Sequence, residues 1–79
     1  MLSDAHAYLL AGFTEQEVRE VLDDLDYLLQ NSTWPYSRES TADMIVELPS
    51  MLTDFLRSVR RDALQSAMIS RKVKAAILG

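Results

Sequence analysis

The chain has no cysteine, two glycines and two prolines. Without thiols there is no disulfide framework, no thiolate zinc site and no iron–sulfur cluster. So little Gly and Pro favours long helices over a fold of many short strands and turns. No apolar run approaches the roughly 18–20 residues of a membrane span, and no glycine-rich run offers a phosphate cradle. His6 is the one imidazole. Positive charge is scarce in the first part of the chain. Up to Glu47 there are ten acidic and two basic residues, a net of −8, whereas from Leu48 on there are two acidic and six basic, a net of +4. The formal total of −4 therefore conceals a strong polarity.

What is present is a 79-residue chain, 48% hydrophobic and 25% charged. That composition is globular, and the length suits one domain. A chain this short buries only about 60% of the surface its unfolded form exposes. Unstapled domains of this size lean on a partner or on self-association. The stretch from Met1 to Leu10 carries Asp4 and no Lys or Arg. It does not fit a signal or transit peptide, and the expectation is a cytoplasmic protein or one already processed.

Helical signals cover most of the sequence. Ser3 caps a short first helix over 4–11, stopped by Gly12. Thr14 and Glu17 spell a capping box, with Phe13 and Val18 placed as a hydrophobic staple. Val18, Val21, Leu22, Leu25, Leu28 and Leu29 then recur at helical spacing, which predicts a helix over 15–30. A polar loop over 31–40 follows, interrupted by Trp34, Pro35 and Tyr36. Ser40 or Thr41 is the expected cap of a third helix. Ile45, Leu48, Leu52, Phe55, Leu56, Val59, Ala63 and Ala67 share one face of it. That stripe keeps phase across Pro49. The reading is one long helix over 42–67 kinked at Pro49, with a break at Leu48 as the alternative. A last segment over 68–78 continues the stripe or forms a final short helix.

The expected fold is all-α: an antiparallel helical hairpin with a short N-terminal helix and a kinked long C-terminal helix, three to four helices in one domain. Such a hairpin sets Glu15, Glu17 and Glu20 against Arg57, Arg60 and Arg61. It also gathers Asp23, Asp24 and Asp26 near Asp43 and Glu47. The second group is a docking site for a basic partner or a solvated acidic face. The far part of the long stripe, Val59 to Ile77, outruns helix 15–30. It is covered by the first helix, by a bend in the tail or by a second copy, and the expectation is a dimer or a hetero-complex.

Catalysis has few candidate groups. His6 sits on a short terminal helix, Asp24-Leu25-Asp26 lacks the glycine and position-12 glutamate of a calcium loop, and no cofactor or metal is expected. Interaction residues are easier to nominate. Trp34 and Tyr36 either anchor a partner or fold back over the core. Tyr27, on the polar face, either rests on Tyr8, Leu9 or Leu10 or meets a partner. Arg71, Lys72 and Lys74 alternate with apolar residues in the tail. There they serve a partner groove, nucleic-acid phosphates, an anionic membrane or plain tail packing.

An amphipathic helix running into Trp34-Pro35-Tyr36, then a helix with Leu56-Arg57 and Arg61-Asp62-Ala63-Leu64, resembles the PsbQ-type extrinsic proteins of photosystem II over residues 18–64. Pro49 departs from that pattern. The resemblance implies a four-helix up-down bundle, a non-catalytic lumenal subunit docked on the photosystem, and structural roles for Trp34, Pro35 and Tyr36. The residues themselves point to a non-catalytic protein-interaction module: a regulator, an inhibitor or an accessory subunit. A nucleic-acid-binding regulator is the alternative, disfavoured by the overall acidity.

Overall fold

A 26-residue straight helix would be about 39 Å long, yet the longest dimension of the molecule is 30 Å. The long third helix is therefore folded up. In the computed structural model, which describes residues 12–48 and 50–79, six helices follow one another. They are α1 Glu15–Asp23, α2 Leu25–Gln30, α3 Arg38–Glu47, α4 Ser50–Ser58, α5 Arg61–Ser66 and α6 Arg71–Leu78. The described residues contain no strand, so the all-α class holds. The helix expected over 4–11, with His6, Tyr8, Leu9 and Leu10, lies outside the described residues.

The first described helix starts as its sequence dictates. Thr14 Oγ1 accepts from the Glu17 N–H at 3.1 Å, and Glu17 Oε1 accepts from the Thr14 N–H at 2.7 Å. Phe13 and Val18 are both buried beside this cap. The expected helix over 15–30 is interrupted at Asp24, whose backbone sits at φ −103°, ψ 17°. Asp24 Oδ2 accepts from the distant Met68 N–H at 3.0 Å, a tertiary bond that no local pattern foretells.

The helix over 42–67 becomes three. Its start moves forward to Ser37, which caps α3 by accepting from the Ser40 N–H at 3.1 Å. Leu48 leaves the helix at φ −131°, ψ 85°. That lies outside the α region, which a following proline disfavours. The second break, at Val59 and Arg60, has no Gly or Pro. There the Thr33 N–H donates to Ser58 O at 3.1 Å, and the Arg60 N–H donates to Asn31 O at 2.8 Å, around a single antiparallel bridge between Ser32 and Val59. The segment expected over 68–78 starts as a helix only at Arg71, capped by Ser70.

These breaks change which elements meet. Glu17 lies against Ser70 and Lys72, Asp24 against Met68, and Asn31 against Arg60. So α1 and α2 run alongside the 60–72 segment. The expected pairing of Glu15, Glu17 and Glu20 with Arg57, Arg60 and Arg61 is replaced: Glu17 meets Lys72 at 3.5 Å and Arg60 pairs with Asp62 at 2.7 Å. The core forms around Phe55, Leu56, Leu52, Leu28, Ile45 and Val73, all without solvent exposure. Val59, Ala63, Ala67 and Val73 are buried by the chain itself. The apolar stripe needs no second copy to cover it, because folding the long helix at 59–60 and 67–70 turns it inward. Leu48, expected in that stripe, is 57% exposed, since the backbone has already left the helix there.

Candidate interaction surface

Trp34 belongs to the core's edge. Its Nε1–H donates to Thr41 Oγ1 at 3.0 Å, and its ring meets Phe55 edge-on at a centroid distance of 5.6 Å. Thr41, inside α3 and fully buried, donates its hydroxyl proton to Ser37 O at 2.7 Å. It thus has its own donor role and accepts the indole. Trp34 therefore lies folded back against the core, with its indole N–H bonded to Thr41. Replacing Thr41 with valine is expected to strand the Trp34 N–H and cost about 1–2 kcal/mol, read by chemical denaturation and by a shift in emission of this lone tryptophan.

Tyr36 packs edge-on against Trp34 at 5.5 Å but stays 51% exposed. Tyr27 is more than a third exposed on α2. The three aspartates do not act as one cluster. Asp26 pairs with Arg38 at 2.7 Å, Asp24 receives the Met68 amide, and Asp23 remains exposed. In the tail, Lys72 reaches Glu17, Lys74 Nζ donates to Gln65 O at 2.7 Å, and Arg71 stays exposed. These three cations therefore separate: one secures the fold, one crosses to a neighbouring helix, and one faces solvent.

Glu17 is the best-connected ionisable group. Besides its cap bond it accepts from Ser70 Oγ at 3.1 Å and faces Lys72. Ser70 Oγ in turn accepts from the Val73 N–H at 3.2 Å, so the caps of α1 and α6 are joined through one carboxylate. The Thr14 amide above all, then the Ser70 and Thr14 hydroxyls and Lys72, hold the Glu17 carboxyl below its ordinary value, against the opposing effect of burial. This is a structural clamp. It was missed because nothing in the sequence links residue 17 to residue 70.

A second feature appears only once α3 has its true start. Glu39, Asp43 and Glu47 lie four residues apart, on one line of the helix. All three are exposed and none has an ion-pair partner among the described residues. Tyr36 stands before the line and Leu48 ends it, both exposed. The inner side of α3 buries Thr41 and Ile45. Like charges at this spacing each destabilise a helix by a few tenths of a kcal/mol. On the opposite part of the sequence, Arg57 and Arg71 are exposed cations without a carboxylate partner among the described residues. No group of His, Cys, Asp or Glu suited to a metal ion occurs among the described residues, and none of their helices is long and apolar enough to cross a membrane. Comparison with protein-family models, curated proteins and solved structures found no match.

Proposed function

We propose that this chain is a non-catalytic protein–protein interaction module, acting as a regulator, inhibitor or accessory subunit of a larger assembly. The observation that carries this reading is the outer face of α3, where Glu39, Asp43 and Glu47, with no ion-pair partner among the described residues, lie between exposed Tyr36 and Leu48. An acidic line ended by an aromatic and an aliphatic side chain suits a basic amphipathic segment. Tyrosine supplies contact area, and the carboxylates set approach and register. An accessory subunit of the kind implied by the resemblance to PsbQ-type proteins is one form of this reading.

Affinity capture with the full chain as bait tests it. The combined substitution Glu39→Gln, Asp43→Asn, Glu47→Gln is expected to lose retained proteins at low salt, while Arg19→Gln, at an exposed position on α1, keeps them. Equal retention by both variants contradicts α3 as the docking face. A nucleic-acid-binding regulator is the second reading, supported by the exposed Arg57 and Arg71. It requires affinity for a DNA duplex that falls as salt rises.

A further inference from the structure

The acidic line on α3, without an ion-pair partner among the described residues, has a counterpart on the same chain. Arg61, at the start of α5, reaches across to the Leu78 carbonyl at 3.5 Å, and Lys74 of α6 reaches back to the Gln65 carbonyl at 2.7 Å. Residues 61 and 65 lie one turn apart on α5, and 74 and 78 lie one turn apart on α6. Both cations therefore line one rim of the α5–α6 pair. Arg71, three residues before Lys74, extends the same side of α6. None of the three has a carboxylate partner among the described residues. Met68, 83% exposed, lies just before Arg71 in the 67–70 turn.

The two lines have matching lengths. At 1.5 Å per residue, Glu39 to Glu47 spans about 12 Å, and Arg71 to the Leu78 level, where Arg61 sits, spans about 10.5 Å. An antiparallel seating sets Arg71 against Glu47, Lys74 against Asp43 and Arg61 against Glu39. It brings the exposed Met68 to the exposed Leu48 and the Arg61 guanidinium to the Tyr36 ring, an apolar contact at one end and a cation–π contact at the other. It also sets the positive end of α6 beside the negative end of α3.

We infer that the occupant of the α3 face is a second copy of this chain, docked through the Arg61–Arg71–Lys74 rim of α5 and α6. The inference rests on the reading of α3 as a docking face and names its partner. Because donor and acceptor faces differ, the contact is head-to-tail and repeats from copy to copy. It consists of solvent-facing ion pairs with two small apolar contacts, so it is weak and salt-sensitive.

Sedimentation of the full chain across a concentration series tests it. The average mass is expected to rise with concentration at about 50 mM salt and to return to the monomer at about 500 mM. The variant Glu39→Gln, Asp43→Asn, Glu47→Gln and the variant Arg61→Gln, Arg71→Gln, Lys74→Gln each stay monomeric, with circular dichroism confirming the fold. Mixed in equal amounts they form a 1:1 dimer and nothing larger, because each retains one intact half of the contact. Should the triple basic variant unfold, Arg71→Gln alone, at an exposed position, is expected to weaken association several-fold. A monomeric wild type, association that survives high salt or either variant, or a mixture that does not dimerise overturns the inference. So does a rim that binds a DNA duplex in place of the second copy. A monomeric wild type leaves the capture experiment on α3 with its own separate outcome, so the two readings fail independently.

Discussion

Replacing Phe55 with alanine abolishes cooperative folding at room temperature or brings the chain to its edge. Phe55 is the largest fully buried side chain among the described residues, and the Trp34 ring leans on it at 5.6 Å. Removing a buried phenylalanine costs about 3–5 kcal/mol in transfer and cavity terms. A chain of this length holds a total of only some 4–12 kcal/mol. The substitution also takes away Trp34's edge-on partner, a contact that adds about 0.5–1.5 kcal/mol beyond area. With its ring unsupported, the indole and its bond to Thr41 lose their fixed geometry. The expected readouts are loss of the thermal transition in circular dichroism and a red shift of the single tryptophan. Phe55→Leu, which refills most of the volume, is expected to retain a transition at lower temperature. A Phe55→Ala variant as stable as the parent would contradict this placement of the core.

Replacing Glu17 with alanine has the second largest expected effect. It removes the acceptor of the Thr14 amide, the partner of the Ser70 hydroxyl and the carboxylate facing Lys72. Hydrogen bonds to a charged group contribute more than neutral ones, and the expected loss is about 2–3 kcal/mol. For a domain of this size that lowers the thermal midpoint by roughly 10–20 °C. Glu17→Gln keeps a carbonyl for the Thr14 amide and loses about half as much. The two variants also carry a pH signature. Because the folded carboxyl lies below its ordinary value of 4.5, its stabilisation is fully present above that value. It is lost as pH falls through the lower folded value, where protonation removes the charge that the amide, hydroxyl and ammonium groups hold. The gap between wild type and Glu17→Gln is therefore constant near neutrality and closes in acid. A gap independent of pH down to strongly acidic conditions would remove Glu17 from this role.

The core was largely legible in the residues. Val18, Val21, Leu25 and Leu28, then Leu52, Phe55, Leu56, Val59 and Ala63, occupy the apolar faces that helical spacing assigns them, and all are buried. The Thr14–Glu17 capping box was legible too, because all its bonds lie within four residues. At Pro49 the sequence favours a kink in one long helix and leaves a break as the alternative; the structure takes the break, with Glu47 ending one helix and Ser50 starting the next. The breaks at Asp24 and at Val59–Arg60 have no such signal. At Asp24 the helical bonds to Glu20 O and from the Leu28 N–H persist, while the carboxylate is drawn to the Met68 amide; at Val59–Arg60 the backbone leaves the helix where the Asn31–Thr33 backbone bonds to Ser58 and Arg60. Ser58 assists by donating its hydroxyl proton to Phe55 O at 2.6 Å, close to the end of α4. No local periodicity reports such bonds, since the apolar stripe keeps its phase straight through them.

The candidate surface divides in the same way. Tyr36 was visible in the sequence and stays exposed, whereas the acidic and basic halves, separate along the chain, are brought together where Glu17 meets Lys72. The aspartates 23, 24 and 26 looked like a cluster only in one dimension; Arg38 and Met68 each claim one. The polar stretch over 31–40 reads as a loop in the sequence, which leaves Glu39 off the helix that carries Asp43 and Glu47. The line Glu39–Asp43–Glu47 emerges with Ser37 as the cap.

By itself, then, the sequence determined the helical class, the residues that go inward, the first cap and the charge polarity, because each follows from spacing, propensity or composition within a few residues. Tertiary structure alone decided where the long helix folds, which halves lie side by side and which charges remain unanswered. Those depend on hydrogen bonds and ion pairs between residues up to 55 positions apart, as Glu17 and Lys72 are. Their strength comes from partners that only the folded chain brings within reach.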